Sequence, residues 1–276
     1  MTVLTAVIFD VDGTLVDSER DGHRVAFNSA FQDLGMPDRW TEEEYGTLLR
    51  VAGGRERLRH YLESTGRTGE DAGRRATELH RRKTAWMRRL VDEDAVPPRP
   101  GAQRLVSELA DAGLRLAIAT TGQRAWVEPL IDRHFGLDTF EQVVTGSEVT
   151  RLKPDPAAYR LVLRRLGLEP GACLAMEDSG NGVRAAVGAG IPCLAVTNAY
   201  TSQDDLSGAV LVTDGFGPGA RVLREGPVAM PTGTVTAPLL SQLRGAVGTR
   251  LPNVMPPREP LQRPTPSRDP PSSGVG

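Results

Sequence analysis

Val7-Ile8-Phe9-Asp10-Val11-Asp12-Gly13-Thr14-Leu15-Val16-Asp17-Ser18 is the stretch that decides the fold. Its opening residues are apolar and β-favouring, as in a strand buried on both faces of a parallel sheet, and the run ends abruptly in two carboxylates and a glycine. Ligands of parallel α/β sheets bind beyond the carboxyl ends of the strands, so Asp10 and Asp12 are delivered where chemistry would occur. Side chains two apart on an extended segment point the same way, and both can address one metal ion or one substrate. A calcium loop also opens with Asp-x-Asp, but Leu15 stands where that loop needs its glycine, and no Glu fills the last ligand position.

The chain has 276 residues, 39% of them hydrophobic, enough for one large or two modest cores, and two domains are the expectation. A formal net charge of -2 gives no overall attraction to nucleic acid or to an anionic membrane surface, and neither partner is expected. Cys173 and Cys193 lie inside apolar segments and read as reduced core thiols of a cytoplasmic protein. Asp10 interrupts the first hydrophobic stretch, so no leader pattern forms, and no apolar run is long enough to span a bilayer.

From Asp17 to Val96 apolar residues recur at helical spacing among many charges, as in Val25-Phe27-Ala30-Phe31-Leu34 and Leu79-Trp86-Leu90. Val96-Pro97-Pro98-Arg99-Pro100-Gly101 cannot continue a helix and reads as a return linker. A βα alternation follows, the pattern of parallel strands with crossover helices. Strands are predicted at 114–119, 143–144, 173–176, 191–196 and 210–212, and helices at 102–112, 124–134, 156–166 and 182–189. The predicted division is a core of residues 1–16 and 97–225, a helical insert of 17–96, and a Pro-rich tail of 226–276 without structure.

Four polar clusters fall at strand ends or in the loops after them: Asp10-Asp12, Thr120-Thr121, Lys153 and Glu177-Asp178. Asp10 can attack phosphorus to form an acyl phosphate, and Asp12 can protonate the leaving alkoxide and later deprotonate water. Every candidate metal ligand is oxygen, which fits Mg2+ held by Asp10, Asp178 and a backbone carbonyl of the first loop, with Glu177 behind them. Thr120 offers a hydroxyl, Thr121 and Gly122 offer backbone N–H groups near a helix start, and Lys153 can neutralise a transferring phosphoryl group. Each has a plainer reading: a strand-end hydroxyl, a solvated lysine, an acidic helix cap. Their common placement at strand ends favours the chemical one.

In these residues the sequence resembles the haloacid dehalogenase-like phosphotransferases. Asp10-Val11-Asp12-Gly13-Thr14 looks like their first motif, Thr120 their second, Lys153-Pro154 their third and Glu177-Asp178 their fourth, over residues 3 to 215. The resemblance implies an α/β fold, a Rossmann-like, doubly wound, mostly parallel sheet with an inserted all-helical cap domain. It implies Asp10 as nucleophile, Asp12 as acid/base and backbone-carbonyl metal ligand, and Asp178 as a side-chain ligand.

A narrower likeness, to the CbbY-type sugar-bisphosphate phosphatases, runs through His23-Arg24-Val25-Ala26-Phe27-Asn28, Gly53-Gly54-Arg55-Glu56-Arg57, Ala119-Thr120-Thr121 and Glu177-Asp178-Ser179. Ala52 stands where a hydroxyl residue is expected, and Arg55 where lysine is common. The likeness implies a small phosphorylated metabolite as ligand, with xylulose-1,5-bisphosphate first, and a monomer suffices. Arg55 would meet a second phosphate, Gly54, Thr121 and Gly122 would bind substrate with His23, and His23 would align Asp12. A phosphomutase of the β-phosphoglucomutase type and a phosphoglycolate phosphatase are the alternatives.

Overall fold

The computed structural model describes residues 3–230 and 233–247. Among them a seven-stranded sheet runs in the order β3-β2-β1-β4-β5-β6-β7. The strands are β1 (Ala6–Phe9), β2 (Arg115–Ala119), β3 (Gln142–Val144), β4 (Cys173–Glu177), β5 (Cys193–Val196), β6 (Leu211–Thr213) and β7 (Val222–Arg224). All neighbours pair in parallel except β6 and β7, which are antiparallel. The doubly wound expectation holds. β7 is a short edge strand of Arg-Val-Leu-Arg character that periodicity over three residues could not reveal.

Side chains alternate across the central strands, and the two faces differ in size. Val7, Phe9, Leu116, Ile118, Leu174, Met176, Leu194 and Val196 enter one buried cluster, with α5 (Ala102–Asp111) and α6 (Arg124–Phe135). Ala6, Ile8, Ala117, Ala119, Cys173, Ala175, Cys193 and Ala195 enter the other, against α7 (Ala157–Leu166) and α8 (Gly180–Gly188). Small side chains let the second pair of helices pack close to the sheet. Both cysteines are free and buried there. Helix α8 begins two residues before the predicted start because the Ser179 hydroxyl accepts the Gly182 N–H at 3.2 Å.

The insert after β1 is helical, as expected: a π-helical turn (Glu19–His23), α1 (Arg24–Asp33), α2 (Glu42–Leu48), α3 (Gly54–Ser64) and α4 (Gly69–Asp92). Phe27, Phe31, Trp40, Tyr45, Leu58, Leu62 and Leu79 form its core. Asn28 fixes the α1 to α2 connection, accepting from Trp40 N at 2.7 Å and donating to its carbonyl at 3.0 Å. A Thr41/Glu44 capping box starts α2. The two linkers to the core lie side by side, with Val16 bridged to Pro98 and Arg99 N donating to Leu15 O at 2.9 Å.

The tail expectation needs correction for 237–247, which form helix α9 (Ala237–Val247). Leu239, Leu240 and Leu243 sit at one-turn spacing and join the same cluster as α5 and α6. Arg104 donates to the Val235 carbonyl at 2.6 Å, and Glu108 accepts the Ala237 N–H at 2.8 Å. The apolar signal is three leucines long, and the surrounding Pro, Thr and Gly obscured it. The rest of the predicted tail, 248–276, lies outside the described residues. Among the described residues no helix is long and apolar enough to cross a membrane.

Two outcomes follow from this packing. Leu240→Ala should destabilise the protein by about 2–4 kcal/mol in chemical denaturation, since Leu240 is fully buried; a loss below about 1 kcal/mol would show that α9 is not part of the core. His80, on α4 against Gly54, is pushed down to about 4 by burial and by the nearby Lys83, Arg55 and Arg57 charges. The unfolded chain binds this proton below about pH 6.5 and the folded chain only below about 4, so stability should fall as pH drops through that window. His80→Gln should flatten the Tm against pH curve between those values, and an unchanged slope would refute the assignment.

Candidate active site

The first loop turns tightly, with the Leu15 N–H donating to Val11 O at 3.0 Å and the Gly13 N–H to Val16 O at 2.9 Å. Gly13 has φ +79°, and a Cβ there would strike the Asp178 carboxylate and come 2.6 Å from Asn198 Nδ2. Only glycine allows β1 and β4 to bring their terminal carboxylates so close. Asp10, Glu177 and Asp178 are buried, and one ligand atom from each lies within 4.8 Å of the others. Lys153, which follows β3 and precedes a cis Pro154, donates to Asp10 Oδ1 and Glu177 Oε1, both at 2.6 Å. Tyr159 of α7 also donates to Glu177 Oε1 at 2.6 Å.

Burial pushes the Asp10 carboxyl up to about 8; the Lys153 ammonium opposes that rise, and the Glu177 and Asp12 charges add to it. Asp178 is also pushed up, by burial and then by Asp10 and Glu177. Burial alone would lower Lys153, yet its two carboxylate partners hold it above its ordinary value. Three buried carboxyl groups share one ammonium, so without a further cation they hold on to protons, and among the described residues Glu177 Oε2 is buried without a hydrogen-bond partner. The donors are all oxygen, so a hard divalent cation such as Mg2+ suits the cluster of Asp10, Glu177 and Asp178.

The Asp12 side chain is turned to other partners. Asp12 Oδ1 accepts from His23 Nε2 at 2.8 Å and from Ser18 Oγ at 2.5 Å. His23 Nδ1 lies 3.0 Å from Lys83 Nζ. An ammonium can only donate, so Nδ1 accepts, and the ring proton sits on Nε2 toward Asp12. Burial would raise the Asp12 carboxyl, but the hydrogen bonds from His23 and Ser18 and the nearby Lys83 ammonium outweigh it and hold the group below its ordinary range. Burial lowers Lys83 to about 8 despite Asp12 and Glu19. His23 thus touches Asp12, as the sequence led us to expect.

Two adjoining cavities open on these groups. One of about 860 Å³ is lined by Asp10, Asp12, Thr121, Lys153, Glu177 and Asp178, together with Arg57 and Tyr200. The other, about 390 Å³, is lined by His23, Gly54, Arg55, Thr121, Gly122 and Lys83. Thr120 is fully buried and lines neither; its hydroxyl accepts the Gly122 N–H at 3.0 Å. The expectation of a free Gly122 N–H is corrected, because a threonine hydroxyl at a strand end competes for the nearest backbone N–H, while the Thr120 hydroxyl keeps its own proton to donate. Arg55 is exposed at the rim of the smaller cavity, whereas Arg57 is buried and donates to Leu48 O and Tyr45 Oη.

Several residues escaped the sequence reading. Lys83 carried a usable signal: it occupies the buried stripe Ala72, Ala76, Leu79, Lys83, Met87, Val91 of α4, where a lysine needs a reason. Asn198, whose amide donates to Asp178 Oδ2 at 2.7 Å, and Arg99, buried at the return linker, carried none.

The haloacid dehalogenase-like hydrolase family matches residues 4–190. The chain is 43% identical over 221 residues to Protein CbbY (plasmid) of Cupriavidus necator, spanning 78% of this chain and 86% of that one. It is 33% identical over 202 residues to Phosphoglycolate phosphatase 1 of Pseudomonas aeruginosa, 70% of each chain. The crystal structure of CbbY from Rhodobacter sphaeroides in complex with phosphate superposes with a TM-score of 0.71 at 39% identity, covering 77% of this chain and 94% of that one. A mutant of the same protein in complex with xylulose-(1,5)bisphosphate gives the same score. Matched by family over two thirds of its length and folded as CbbY is, this chain is a phosphatase of the haloacid dehalogenase-like hydrolases.

Proposed function

We propose that this chain is a Mg2+-dependent phosphatase of small sugar phosphates or bisphosphates, with xylulose-1,5-bisphosphate the first candidate, acting through a phosphorylated Asp10. The carrying observation is the buried Asp10 carboxylate beside Asp178, with Lys153 on one of its oxygens at 2.6 Å. Bound Mg2+ would neutralise the carboxylates and the phosphoryl oxygens. Asp10 attacks phosphorus, and the bond to the sugar oxygen breaks as Asp12 gives that oxygen a proton. Asp12 gains this proton when a phosphate dianion lies beside it, because nearby negative charge raises a carboxyl's proton affinity. Water then attacks the acyl phosphate, and Asp12, held by His23 and Ser18 as a proton acceptor, takes its proton. Lys153 compensates charge on Asp10 throughout.

A bisphosphate needs fixed positive charge away from Asp10. Arg55, Arg57 and Lys83 line the smaller cavity, which adjoins the larger one at Asp12 and Thr121. CbbY's complex with xylulose-(1,5)bisphosphate supports the same substrate class here.

The test is phosphate release from xylulose-1,5-bisphosphate, phosphoglycolate and a panel of sugar monophosphates, with Mg2+ and with EDTA. Release should require Mg2+ and be greatest for the bisphosphate, and Asp10→Asn should lower it at least about a thousandfold. Near-normal hydrolysis by that variant would refute covalent catalysis, and an isomerised sugar phosphate without free phosphate would make the protein a mutase. Arg55→Ala should raise KM for the bisphosphate about tenfold, the worth of one charge-assisted contact, while leaving monophosphates unchanged. An equal loss for both would remove Arg55 from the second-phosphate role.

A further inference from the structure

Arg99 is nine-tenths buried, yet among the described residues no carboxylate lies within ion-pair distance of it. Its guanidinium is spent on backbone carbonyls: Nη1 donates to Gly13 O at 2.6 Å and to Val196 O at 2.9 Å, and Nη2 to Thr197 O at 2.7 Å and Asp214 O at 3.4 Å. These belong to three places: the loop after β1, the end of β5 and the end of β6. The residue after Thr197 is Asn198. Its amide donates to Asp178 Oδ2 at 2.7 Å and reaches Gly13 O at 3.4 Å. Its side-chain Oδ1 meanwhile accepts from Tyr200 N at 2.9 Å and Thr201 N at 3.2 Å. Arg99 and Asn198 therefore converge on one carbonyl, that of Gly13, whose α-carbon is packed against the Asp178 carboxylate.

We propose that Arg99 and Asn198 form a brace that positions the Asp178 carboxylate against the first loop, and so sets the affinity of the carboxylate cluster for a divalent cation. Asn198 holds one Asp178 oxygen and leaves the other for the cation. Arg99 fixes the two backbone segments between which Asn198 reaches. Neither residue touches the reacting atoms; both are positioning residues. The inference rests on the reading of Asp10 and Asp178 as the cation site.

The test is titration of the full chain with Mn2+ alone, followed by electron paramagnetic resonance of the free ion, with Tm measured alongside. Arg99→Met and Asn198→Ala should each raise the Mn2+ Kd about tenfold, the usual effect of removing a partner that orients a ligand. Arg99→Lys should recover part of that, and the double variant should lose less than the product of the two, since both act through one carbonyl. A lower Tm with a Kd within about twofold of wild type in both single variants would reduce the pair to structural roles and overturn the proposal. Should Arg99→Met not fold, Asn198→Ala decides alone, because it removes one amide from a half-buried loop. Asp178→Asn separates the two levels: retained Mn2+ binding in that variant refutes the cation-site reading itself, whereas its loss leaves the brace to be judged on its own variants.

Discussion

Asp10, Glu177 and Asp178 are three acids buried within reach of one another, and much of the sheet edge is built to keep them together. A buried carboxylate is costly unless a charge or a set of donors meets it. Lys153 meets two of the three, Tyr159 a part of Glu177, and Asn198 a part of Asp178. The donors come from α7 and from the segments after β3 and β5, so the cluster can exist only once non-local parts of the chain have assembled. The acids that these donors leave unmet are what suit the site to a cation.

Around the smaller cavity the helical insert places cations instead. Lys83 is buried beside the His23 ring, Arg57 is buried under Tyr45, and cationic neighbours surround His80. Asp12 stands on the boundary, attached to the first loop by its backbone and to His23 of the insert by its side chain. Phosphorylated ligands are large anions, and a cavity between these two regions offers them a gradient of potential.

How much of this was legible in the sequence depended on how local each signal was. Asp10, Lys153 and the Glu177-Asp178 pair could be found because each ends or follows an apolar run, and parallel sheets bring such ends to one edge. Thr120 was found at its place but not its partner, since the choice between a ligand and the Gly122 N–H is made by turn geometry. Lys83 was readable in principle, as a charge on the apolar stripe of α4. Arg99 and Asn198 were not, because their partners are carbonyls and a carboxylate fixed only by tertiary structure. Helix α9 was hidden by its flanks: three leucines were outweighed by neighbouring Pro and Thr until α5 was present to receive them.

The unequal faces of the sheet divide the kinds of change the core can absorb. On the side of Phe9, Ile118, Met176 and Leu194, volume is what holds the layers, and trimming a side chain leaves a void. On the side of Ala117, Ala175 and Ala195 there is no slack, and an added methyl has to push α7 or α8 outward. Those two helices start just after Lys153 and Asp178, so enlargement on that face would be transmitted to the phosphoryl end of the molecule before it was felt as lost stability. Sequence drift should therefore be freer in bulk on the first face and confined to small residues on the second.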